Sequence, residues 1–213
     1  MRALAVAMLF LASSASYAVI IDRIAVIAGN SIIKDSDIER DIRVTDLLNG
    51  QAVVINNSTR KQAANRLLDQ IFIRREVRIG DYRTATLQSA DAQLAELKKQ
   101  KFRTAAAYSQ ALQRAGVTDV ELRMQFQWQL TVLNFIDARF KPAAYIADEE
   151  IESYYKANTA ALGRQFPGKT TLTALQPEIR NILAGEKVNQ LFFAWLDEQR
   201  KNTKLTYLED NLR

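Results

Sequence analysis

Residues 118–140 read TDVELRMQFQWQLTVLNFIDARF, and this stretch decides the fold. Thr118 and Glu121 form a capping box: the hydroxyl accepts the N–H three residues on, and the carboxylate returns to the Thr118 N–H. Leu122, Phe126, Leu133, Ile136 and Phe140 then recur at three- and four-residue steps, one face of a helix. Val120, Met124, Trp128, Thr131 and Phe135 make a second face. A plain surface helix needs one apolar stripe, so two stripes mean neighbours on two sides. One face is expected in the core; the other is either more core or a docking surface.

Capped amphipathic helices continue outward on both sides. Towards the N-terminus, Thr104 to Ala115 reads as a short helix stopped by Gly116, a left-handed terminator. Ser89 to Lys101 reads as another, with Ala90, Leu94 and Leu97 apolar and three lysines near its end. Ser58 or Thr59 opens a longer one with Ala64, Leu67, Leu68, Ile71 and Phe72 inward, running to Ile79-Gly80. The segment Asp81 to Gln88 reads equally as loop or as continued helix. Ser36-Asp37-Ile38-Glu39 is a second capping box, opening a helix that ends near Asn49-Gly50. Ahead of it, Ile24 to Ala28 and Ser31 to Lys34 flank Gly29-Asn30, a two-residue hairpin signal.

Towards the C-terminus, Pro142 marks the end of the central helix. Asp148 to Asn158 is a helix with an acidic start, carrying Ile151, Tyr154 and Tyr155. Gly163 to Lys169 reads as a loop. A last long helix starts at Thr173 and tolerates Pro177 near its beginning. Leu175, Ile179, Ile182, Leu183, Leu191, Phe192 and Trp195 line it, and Gly185 is its weak point. Lys204 to Leu208 is β-like. A lone hairpin is marginal in water and three strands make a usable sheet. Residues 204–208 are therefore expected to pair with the 20–34 hairpin. The fold expected is mainly α, with a small antiparallel sheet made by the N-terminal hairpin and the C-terminal strand.

Composition narrows the chemistry. The 213 residues include no cysteine and no histidine. Metal sites built on those residues, Ser-His-Asp triads and Cys-His pairs are thereby excluded. Carboxylate pairs such as Glu149-Glu150, the Asp81 region and Ser-Lys chemistry survive. Acids in a first helical turn are better explained by the macrodipole. No catalytic residue, metal or cofactor is expected, and the chain reads as a binding protein rather than an enzyme. The net charge of +5 is spread among interleaved acids and bases. That pattern favours solubility and not a nucleic-acid footprint.

Residues 1–18 have the layout of a secretory signal peptide: Arg2, an apolar run from Ala3 to Ala12, and a Ser16-Tyr17-Ala18 cleavage site. The alternative is an uncleaved membrane anchor. An exported chain with no cysteine relies on packing rather than disulfides.

The ordered elements resemble the SurA family of exported chaperones, whose chaperone module is shared with PpiD- and PrsA-type foldases. They are IDRIAVIAGNSIIKDSDIERDI, RLLDQIFIRREV, VTDVELRMQFQWQLTVLNFIDARF, ADEEIESYYKAN and EIRNILAGEKVNQLFFAWLDEQRKNTKLTYL, spread over nearly all of the chain beyond residue 18. The resemblance implies one module over residues 19–213, built from an N-terminal segment 19–162 and a C-terminal segment 170–213. It implies a periplasmic location and ATP-independent binding of unfolded or nascent exported proteins, outer-membrane or secreted. In the foldases a parvulin-type prolyl isomerase domain follows the Tyr-Tyr helix; here only the loop near Gly163 to Lys169 stands at that place. Isomerase activity is therefore not expected.

Met124, Trp128 and Phe135 are the candidate peptide-binding residues, because methionine repacks readily and aromatic rings offer area at small entropic cost. The competing reading packs them against Phe192 and Trp195, and it is preferred for Phe135. Edge-strand addition at the hairpin is a second binding mode. Two other functions stay open: a non-catalytic scaffold dedicated to one secretion partner, and a residual peptidyl-prolyl isomerase. A homo-oligomer is compatible with all of them.

Overall fold

The computed structural model describes residues 22–212, so the expected signal peptide and cleavage site lie outside the described residues. Strands β1 (Ile24–Ala28) and β2 (Ser31–Lys34) form the hairpin. Gly29 turns it at φ 56°, with no positive φ at Asn30, as a type II′ turn requires. Strand β3 (Leu205–Tyr207) adds antiparallel to β1 with Val26 opposite Tyr207 and Ala28 opposite Leu205, giving the order β2-β1-β3. The Gly29 N–H also donates to the Lys204 carbonyl at 3.1 Å. The two ends of the described chain thus share one sheet, and the fold is mainly α with a small antiparallel sheet.

Seven α-helices accompany that sheet among the described residues: α1 (Asp35–Asn49), α2 (Asn57–Ile79), α3 (Leu87–Lys101), α4 (Ala105–Ala115), α5 (Asp119–Phe140), α6 (Asp148–Gln165) and α7 (Leu172–Lys201). Most start at a side-chain cap. Asn56, Thr86, Thr104, Thr118 and Thr171 each accept the N–H three residues on. Gly116 at φ 65° ends α4, as expected. None of these helices is long and apolar enough to cross a membrane.

Two boundaries correct the sequence reading. Helix α1 begins at Asp35, with Ser36 inside its first turn. Its first N–H groups are met partly within the turn and partly from across the hairpin. Asp37 accepts from Lys34 at 3.1 Å, while Asp22 takes both the Ser36 N–H (3.1 Å) and its hydroxyl (2.6 Å). Helix α6 runs through Gly163 to Gln165, so the connection to α7 is only residues 166–171. Space around Gly163 is open, and a helical glycine there costs only about 1 kcal/mol relative to alanine.

Three apolar clusters hold these elements. The largest joins the sheet (Ala25, Val26, Ile33) to α1 (Ile38, Ile42), α2 (Ala64, Leu68, Phe72), α5 (Phe135, Phe140) and α7 (Trp195, Leu196). A second packs the end of α1 against α3, α4 and the start of α5 through Val44, Leu94, Tyr108 and Leu122. The third, with Ile151, Leu162, Leu175 and Ile179, belongs to α6 and the first half of α7. Gly185, in open space, marks where α7 passes from one cluster to another: Ala184 packs in the third and Val188 in the first.

The expected two-sidedness of α5 is present, but its stripes divide differently. Leu122 and Phe126 face the second cluster and Ile136 and Phe140 the first, while Leu133 and Val120 are exposed. A 22-residue helix crossing two cores changes neighbours along its length, so one periodic stripe serves different partners at its two ends.

Candidate functional site

A groove of about 1280 Å³ opens between α2 and α5, bounded by α1 and by the β1–β2 hairpin. Helix α2 supplies Leu67, Gln70, Ile71, Arg74 and Arg78, spaced along one face. Its core residues Ala64 and Leu68 lie outside the groove lining, while Phe72 belongs to both the core and the groove floor, so α2 is two-sided as well. Helix α5 supplies Met124, Trp128 and Thr131. The hairpin supplies Ser31, Ile32 and Ile33 of β2, an outer strand of the sheet.

The candidate residues separate here. Met124 is 61% exposed and Trp128 is 9% exposed, and both line the groove. The Arg74 guanidinium lies over the Trp128 ring, 3.8 Å from its centroid, a cation–π contact that holds both side chains in place. Phe135 is 0% exposed and lies outside the groove lining, so its reading as a surface contact is corrected. It meets Tyr82 edge-on at 5.0 Å and lies 5.7 Å from Phe140 and 5.4 Å from Trp195. Three aromatic neighbours from different elements take the ring into the core. Packing against α7 is the arrangement found.

The groove wall along α5 is braced by the segment before α3. The Thr131 hydroxyl accepts the Ala85 N–H at 3.0 Å and donates to the Gln127 carbonyl at 2.8 Å, while the Gln127 amide donates to the Ala85 carbonyl at 3.0 Å. Both backbone groups of Ala85 are satisfied, and residues 81–86 are loop rather than continued helix.

The acids of the groove are committed to local partners. Asp37 and Glu121 both pair with Arg40, at 3.2 and 3.3 Å. Asp41 pairs with Arg66; its burial pushes its carboxyl above the usual value, and the Arg66 charge pulls it part of the way back. The bases are less balanced. Among the described residues Arg74, Arg75 and Arg78 have no carboxylate partner; Arg75 is tied by a hydrogen bond to the neutral Gln199 at 2.6 Å, and Arg74 and Arg78 are not tied to another side chain by any such bond. Crowding by the protein lowers the Arg74 pKa from its usual value. The sequence reading missed these two arginines. The signal was present in IRREVR, where two bases four residues apart follow a helical apolar run and so share its groove-facing side.

The acidic start of α6 is structural: Glu150 accepts the Ala147 N–H at 2.9 Å and Asp148 binds Arg180 at 2.6 Å. Among the described residues no group of three or more acids is placed to hold a metal ion. Chemically, the groove offers apolar area, a sheet edge and three arginines, Arg74, Arg75 and Arg78, with no carboxylate partner among the described residues. No protein-family model matches this chain, and a search of curated proteins finds no match.

Proposed function

We propose that this protein is an ATP-independent chaperone of exported polypeptides, built like a SurA-type chaperone module with no isomerase domain, that holds unfolded or extended clients in the α2–α5 groove. The observation carrying this reading is a large open groove whose lining includes Trp128 and Met124 on one wall and Ile71, Leu67 and the β2 edge on the others. Apolar side chains supply affinity without demanding one sequence. An outer strand supplies backbone hydrogen bonds that any extended chain can make. Methionine adapts its shape to varied partners. Ordering a flexible client costs several kcal/mol, so affinity is modest and release needs no nucleotide.

The test is suppression of aggregation of several unrelated unfolded proteins at near-stoichiometric ratio, with wild type and Trp128→Ala compared. Wild type is expected to protect all of them; Trp128→Ala, which also removes a ring from the largest apolar cluster, is compared at equal folded fraction with the exposed Met124→Ala, and both are expected to protect poorly. Cross-linking from position 128 in whole cells should capture a range of exported chains. Protection of one client alone would instead favour a dedicated partner protein, and protection of none would overturn the proposal.

A further inference from the structure

The groove carries a charge arrangement that apolar holding does not use. Arg74 and Arg78 lie four residues apart on the groove-facing side of α2, where like charges repel by a few tenths of a kcal/mol. Arg78, in the last turn, gains from the helix macrodipole; Arg74, a full turn earlier, does not. Four arginines in or against the same core are instead paired: Arg66 to Asp41, Arg139 to Glu76, Arg200 to Asp69, Arg60 to Asp35 and Glu209. Arg74, which lies over the Trp128 indole, and Arg78 therefore put a pair of cations on the groove face of α2 with no carboxylate partner among the described residues.

We infer that the groove selects extended polypeptide segments carrying acidic side chains at alternate positions, acid-x-acid, with Arg74 and Arg78 as their recognition pair. The spacing fits. Four helical residues advance about 6 Å along α2. Alternate residues of an extended strand lie on the same face about 6.6 Å apart. A segment running along α2 thus presents one carboxylate to each guanidinium, and arginine binds carboxylates through paired N–H donors. Its intervening side chain faces the opposite way, towards the α5 wall that carries Met124. A flexible anionic polymer such as nucleic acid would meet the same charges. The exposed Ile32 on an outer strand and the apolar Leu67, Ile71 and Met124 favour a polypeptide.

This inference rests on the groove being the polypeptide-binding surface, and the experiment separates the two. Fluorescein-labelled peptides of one apolar sequence, differing only in Glu-x-Glu, Gln-x-Gln or Lys-x-Lys at the centre, are titrated against the purified protein and read by anisotropy. Glu-x-Glu is expected to bind about fivefold tighter than Gln-x-Gln, and Lys-x-Lys weaker than both, the size set by charge pairs that remain partly in water. The acid-over-amide ratio should fall towards one in R74Q/R78Q. It should persist in K156Q, which removes a positive charge from α6, outside the groove. Equal binding of the acidic and amide peptides by wild type would overturn the selectivity and leave the groove reading standing. Failure of every peptide to bind would overturn both. Displacement of the Glu-x-Glu peptide by an equal concentration of a short single-stranded oligonucleotide would overturn the polypeptide assignment.

Discussion

Substituting Phe135 by alanine, beside Met124 by alanine, separates core from groove on a single helix. The Phe135 ring is fully buried and touches Tyr82, Phe140 and Trp195. A phenylalanine side chain burying about 150–200 Å² is worth about 4–5 kcal/mol at about 25 cal/mol per Å². Alanine keeps one carbon of that, while the vacated space and lost ring pairs add a penalty, so the expected loss is about 3–5 kcal/mol. Domains of this kind hold only about 5–15 kcal/mol in total. Met124, being largely exposed, should change stability by less than about 0.5 kcal/mol and weaken client binding instead. Equilibrium urea unfolding read by far-UV circular dichroism is the suitable assay, because Trp195 lies against Phe135 and its fluorescence would report the local change. Where Phe135→Ala also leaves too little folded protein, Phe135→Leu should show the same ordering at about 1–2 kcal/mol. A Phe135→Ala protein within about 1 kcal/mol of wild type that had lost client binding would refute this division of the helix.

Arg60 bridges Asp35 at the start of α1 and Glu209 beyond β3, at 2.6 and 2.8 Å, with its side chain 14% exposed. Arg60→Ala should cost about 1–3 kcal/mol in thermal unfolding, because it leaves two carboxylates facing each other. Adding Glu209→Gln should recover part of that loss, and no recovery would mean that the bridge is not what joins the termini. Asp119 is held below the usual carboxylate range first by the Lys98 hydrogen bond, against a cost from burial, with Tyr108 adding a second donor. A depressed folded-state pKa means that the folded protein binds fewer protons, so this contribution is complete above about pH 4 and lost as pH falls through the folded value. The stability gap between wild type and Asp119→Asn should therefore be constant from about pH 7 to 5 and narrow below about pH 4; a gap that widened on acidification would contradict the assignment.

Short-range chemistry was legible without any structure. Thr118 and Glu121 are three residues apart in the chain, so their reciprocal cap follows from the residues themselves, as do the Gly29-Asn30 turn and the Gly116 stop. Strand counting even placed the C-terminal strand beside the hairpin, because two strands alone cannot be stable. The cap of α1 escaped that reading, since its oxygen comes from Asp22 on the far side of the hairpin and outcompetes the local Ser36 pattern. The end of α6 escaped as well, because packing of Leu162 into the α6–α7 core carries the helix past a glycine. Of the three residues proposed for the surface, sequence could give only their side of α5.

Periodicity, caps and turn residues determined which segments are helix or strand, since those preferences act within a few residues. Tertiary structure alone decided that Phe135 is enclosed while Met124 and Trp128 border a groove, and that Arg74 and Arg78 stand there with no carboxylate partner among the described residues. The reason is physical: whether an apolar stripe is covered, or a charge neutralised, depends on side chains brought from distant parts of the chain, and no local pattern records their arrival.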